Sequence, residues 1–77
     1  MPRFYFDVHD EVLATDEDGL DLAGPDAAIE EAHRGARDLA AAQVLGGRLN
    51  LNHRIIVRDK AGVIAEVSFR QAVTLTE

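Results

Sequence analysis

Asp59-Lys60-Ala61-Gly62 lies between two runs of alternating polarity, and no other feature limits the fold as tightly. An Asp opening the quartet and a Gly closing it predict a type I turn followed by a glycine bulge. That turn sets a register with Val57 opposite Ala65, Ile55 opposite Val67 and His53 opposite Phe69. The other face then pairs Arg58 with Ile64, Ile56 with Glu66 and Arg54 with Ser68. One apolar and one mainly polar face are what a hairpin over 53–69 with a single buried side requires.

Residues 3–9 alternate in the same way, with Phe4, Phe6 and Val8 on one side and Arg3, Tyr5, Asp7 and His9 on the other. Asp10-Glu11 breaks the pattern and residues 12–15 resume it, so a first hairpin is expected. A two-residue turn there pairs Val8 with Leu13 and Phe6 with Thr15. Tight turns of that kind favour Gly where Glu11 stands, so a longer loop is the alternative. Asp16-Glu17-Asp18-Gly19 reads as a turn in which Gly is free to take positive φ. Leu20 and Leu22 follow in a connection that covers one end of the core.

Gly24-Pro25-Asp26 opens a helix that runs to Leu45, capped either by Gly24 with Pro25 first in the helix or by Asp26. Ile29, Ala32, Ala36, Leu39 and Gln43 recur at helical spacing, and Ala28, Ala40 and Val44 widen the stripe. A stripe made mostly of alanine lets a helix lie close to a sheet. Gly46-Gly47 ends it in the manner of a left-handed cap. Gly35 stands mid-helix among polar neighbours with no packing reason in view. The tail from Arg70 can extend the last strand, form a helical turn or fray.

Two hairpins around one helix give an α+β fold, a two-layer β-β-α-β-β sandwich in a single domain over residues 1–77. A mainly antiparallel four-stranded sheet carries the helix on one face. With the strands numbered along the chain, order 2-1-3-4 keeps every neighbour antiparallel, and order 2-1-4-3 is its rival. The helix-free face then presents Tyr5, Asp7, Ile56, Arg58, Ile64 and Glu66.

Met1-Pro2-Arg3-Phe4-Tyr5-Phe6-Asp7-Val8-His9, the acidic turn with Gly19, the alanine-rich helix led by Asp26, and Val57-Arg58-Asp59 followed by Gly62 form a pattern over nearly the whole chain. In these residues the chain resembles a family of short bacterial proteins of unknown function. Glu11 departs from the Gly that commonly follows Asp10 in that family. The resemblance supports the fold and implies no activity, cofactor or partner.

Stability is the next constraint. The chain has 77 residues and no cysteine, and 12 of the residues behind its 47% hydrophobic content are alanines. A core below ~80 residues rarely supplies more than ~3–5 kcal/mol without a disulfide, a metal or a partner. Disulfides are excluded, which leaves self-association as the expected staple. No run approaches a membrane span and no signal peptide opens the chain, so a cytoplasmic protein is expected.

Charge is uneven: residues 1–33 carry ten acids against Arg3 alone, while residues 34–77 carry seven bases against four acids, for a net −6. Asp16, Glu17, Asp18 and Asp21 fail the calcium-loop pattern, because Gly19 comes two residues early and Ala27 stands where the bidentate Glu belongs. His9, His33 and His53 lack the spacing of a zinc site. The one serine, Ser68, has neither a nucleophile elbow nor a phosphate loop around it. No catalytic, cofactor-binding or metal residues are assigned, and no enzyme is expected.

The leading expectation is a non-catalytic interaction or regulatory module with a protein partner, itself included. Its candidate surface is Tyr5, Ile56, Arg58 and Ile64. An alternative is a nucleic-acid-contacting accessory protein using Arg48, Arg54, Arg58 and Arg70 about the second hairpin, against which the net negative charge counts. A small-molecule or metal binder is the third.

Overall fold

A computed structural model describes all residues, 1–77. In chain order the elements are β1 (Arg3–His9), β2 (Leu13–Ala14), β3 (Leu20–Asp21), α1 (Pro25–Leu45), β4 (Arg54–Asp59), β5 (Gly62–Ser68) and α2 (Phe69–Ala72). The sheet runs β2-β1-β4-β5 and is antiparallel throughout, the first of the two expected orders. β3 pairs with the opening of β1, on the same edge as β2. α1 packs over β4 and β5, and α2 packs against both α1 and β5. No helix is long and apolar enough to cross a membrane.

The second hairpin keeps the expected register from Arg54–Ser68 to Val57–Ala65. Nearer the turn it differs. Arg58 pairs with Val63 and Asp59 with Gly62, so the extra residue of β5 falls at Ile64 rather than at the glycine. The Asp59 side chain explains this: its Oδ1 accepts from Ala61 N at 2.8 Å and closes the loop over Lys60-Ala61. The ladder therefore reaches Gly62, and β5 takes up the mismatch further in as a bulge.

The first hairpin corrects the expected pairing by one residue. His9 pairs with Leu13 and Val8 with Ala14 across a three-residue loop. Asp10 Oδ1 accepts from Val12 N at 3.0 Å, an Asx turn that does the work of the missing glycine. Val12 joins the loop, and Leu13 is left exposed.

Gly24 caps α1 with Pro25 first in the helix, resolving the two N-terminal alternatives. At the other end Gly47 takes φ +85°, Gly47 N donates to Val44 O, and Arg48 N reaches back to Gln43 O. This is a Schellman closure. The buried ridge is Ala28, Ala32, Ala36 and Ala40, flanked by the partly buried Ile29 and Leu39. Val44 continues that spacing but is exposed. The 21 residues of α1 span about 31 Å, and the seven-residue strands only about 23 Å, so the helix outruns the sheet.

The tail resolves into α2. Ser68 caps it through a reciprocal box, with Gln71 N donating to Ser68 Oγ and Ser68 N to Gln71 Oε1. Phe69 and Ala72 of α2, with Phe4, Ile55, Val57 and Val67 of the sheet, complete a core of ten buried apolar residues, half of them alanine.

Candidate functional site

Tyr5 and Arg58 are directly opposite on β1 and β4, so their side chains rise from one spot on the helix-free face. The Arg58 guanidinium carbon lies 4.9 Å from the Tyr5 ring centroid, within cation–π range. Its Nε donates to Asp7 Oδ2 at 2.6 Å, and one Nη to Asp7 Oδ1 at 3.2 Å and to Asp16 O at 3.0 Å. Asp7 is 5% exposed, the only buried charged residue. Its carboxyl is held below the usual range, chiefly by the hydrogen bond from Arg58 and against the opposing effect of burial. Arg58 is raised in return, first by that same bond.

A loop closes over this pair. Asp16 N donates to Asp7 Oδ1 at 2.9 Å. The Asp16 carboxylate accepts from Phe6 N, Asp18 N and Gly19 N, each at 3.1 Å. Burial pushes the Asp16 carboxyl up, but these three amide donors outweigh it and hold the group low. Asp16 thus fills the stretch of β1 edge between its pairings with β3 and β2, satisfying a strand amide with a side chain. Gly19 lies so near that a Cβ there would sit 2.8 Å from Arg3 Cγ and 2.9 Å from Tyr5 Cε2. Outside it, Arg3 Nε donates to Asp21 Oδ1 at 2.9 Å.

The four residues of the candidate surface therefore divide. Tyr5 and Arg58 are engaged inward, holding the 16–19 loop against the sheet. Ile56 is half-buried, and Ile64 remains 38% exposed on β5 beside Val63 at 60%. Sequence reasoning missed the loop that covers Tyr5. Its signal was present in Asp16 placed three residues before Gly19, the spacing of an Asx cap.

The four arginines do not gather. Arg54 Nε lies 2.8 Å from Glu66 Oε1 without the alignment of a hydrogen bond, so the contact is an ion pair. Arg58 is held by Asp7. Arg48 and Arg70 line a shallow groove at one end of the molecule with Asp10, Glu11, Leu49 and His53. Gln43 organises one wall: its Oε1 accepts from Asn50 N at 2.8 Å, so its amide donates to His53 Nδ1 at 2.7 Å. That network assigns the neutral His53 proton to Nε2. His53 also meets Phe69 edge-on, the expected partner, with ring centroids 5.8 Å apart. No three His, Asp or Glu side chains converge as metal ligands.

No curated protein and no solved structure matches the chain. A family model does match, from the opening strand through the start of α2. The chain belongs to the family described as a domain of unknown function, DUF6894, whose model covers residues 3–70.

Proposed function

We propose that this chain is a non-catalytic interaction module that works by associating with a second copy of itself. The carrying observation is surface. The chain exposes 5323 Å², whereas a monomer of 8.4 kDa is expected to expose about 4,600 Å². The excess of about 700 Å² approaches the ~800 Å² that each partner contributes to a standard interface. Only 11 of 77 residues are buried, and no leucine is among them, so a partner would supply burial that the fold lacks.

Side chains capable of chemistry are committed elsewhere. The Ser68 hydroxyl caps α2, His53 Nδ1 is taken by Gln43, and the Asp7 and Asp16 carboxylates are filled by donors. A nucleic-acid surface has less support, since Arg54 and Arg58 are neutralised by Glu66 and Asp7. Sedimentation equilibrium from low to high micromolar concentration tests the proposal. A concentration-dependent dimer is expected, and a monomer across the whole range refutes it.

A further inference from the structure

The last turn of α1 overhangs the end of the sheet. The buried ridge advances every fourth residue from Ala28 to Ala40, but the next position, Val44, is 58% exposed, and Leu45 beside it 90%. Val12, Leu13 and Leu49 stand exposed at the same end of the molecule. These five are half of the ten large apolar side chains that the chain exposes, so the missing burial is concentrated here.

Charge at this end says what covers it. A chain of net −6 repels its own copies, so two of them meet best where unengaged cations can face acids. Of the eight bases, Arg3, Arg34, Arg54 and Arg58 are in ion pairs, and Arg37 donates to Ala72 O at 2.7 Å. Arg48, Lys60 and Arg70 remain, and two of these three line the groove at this end. Asp10 and Glu11, also in no ion pair, line it too. The two signs stand apart: Asp10 and Glu11 follow β1, whereas Arg70 follows β5, with β4 between. Two strand spacings put about 10 Å between the acidic and basic sides.

We infer that the second copy docks end to end on this groove, so that Asp10 and Glu11 of each copy face Arg48 and Arg70 of the other. This rests on the self-association proposed above and specifies its interface. A two-fold axis along the strand direction, passing between the two sides, makes both contacts at once. It also brings the overhanging turns of α1 under cover.

Charge reversal tests the pairing. Arg48→Glu with Arg70→Glu makes the groove acidic throughout. Glu11→Lys with Asp10→Asn, which keeps an acceptor for Val12 N, makes it basic. Each double variant should self-associate at least tenfold more weakly than the wild type in sedimentation equilibrium. An equimolar mixture of the two should form a one-to-one dimer within threefold of wild-type strength. Both variants stay net negative, so overall charge does not drive the mixing. Thermal melts separate loss of the dimer from loss of the fold. Dilution of the wild type supplies a second reading, in which amide NMR shifts should move at residues 10–13 and 44–51. If the wild type dimerises but the mixture fails to restore association, or the shifts fall elsewhere, self-association stands and this interface is overturned. A monomeric wild type overturns both.

Discussion

Arg58 and Asp7, 51 residues apart in the chain, meet across β1 and β4 through two guanidinium–carboxylate hydrogen bonds of 2.6 and 3.2 Å. The pair ties the second hairpin to the first and, through Asp16, to the loop between β2 and β3. Removing one partner leaves a charge in a site built for two. Asp7→Leu and Arg58→Met should each lower the urea midpoint, while the double variant should lose less than the two losses together. Additive losses would show that the two side chains act independently.

Acid should loosen the same knot. Asp7 and Asp16 both titrate below the ordinary value of 3.8 in the fold. A carboxyl lowered by folding stabilises fully above its unfolded pKa, and that contribution is lost as pH falls through the native value. The urea midpoint should therefore be level from neutrality down to about pH 5 and drop below about pH 4. Asp7→Asn should start less stable at neutral pH and show a shallower acid limb. A limb of unchanged slope would place the acid sensitivity in other carboxyls.

Gly19 has φ +72°, and a Cβ there would stand 2.9 Å from Phe4 O. Gly19→Ala combines a left-handed backbone with a contact against main chain that cannot swing away. A loss of about 2–3 kcal/mol is expected. Asp16→Ala should act on the same loop by a different route, stripping the acceptor from Phe6 N. Amide exchange would separate the two: in Asp16→Ala the Phe6 amide should exchange far faster than the amides paired between β4 and β5.

Legibility followed how local each determinant is. The hairpin from Arg54 to Ser68 could be read because turn chemistry and side-chain alternation point to one register. The bulge at Ile64 could not, since Val63, Ile64 and Ala65 form an apolar run whose period is ambiguous by one residue. Leu13 went astray by one position for want of a glycine at the first turn. The candidate surface was the hardest part. Alternation places Tyr5, Ile56 and Arg58 on the helix-free face correctly, but it carries no information about what folds back over that face. Asp16 reaches Phe6 across ten residues and Arg58 reaches Asp7 across 51, and neither contact has a period.

Gly35 shows the same limit and can be settled by a cycle. The reading of its wheel neighbours as polar is corrected: Ala32 and Leu39 of the helix's packed stripe flank it, and a Cβ at this position would lie 3.1 Å from Ile55 Cδ1, closer than ordinary contact. Ile55 is buried between α1 and the sheet and has little room to retreat. Two effects oppose each other in Gly35→Ala: the helix gains about 1 kcal/mol of propensity, and the crowded methyl takes most of it back. The substitution should therefore be nearly neutral in the wild-type chain. Ile55→Val deletes the offending methyl, at a cost of about 0.5–1.5 kcal/mol, and leaves room for the new Cβ. In that background Gly35→Ala should stabilise by about 0.5–1 kcal/mol, a coupling that urea titration of the four proteins resolves. If the two changes simply add, Ile55 yields freely, and the glycine owes its place to something other than the approach of helix to sheet.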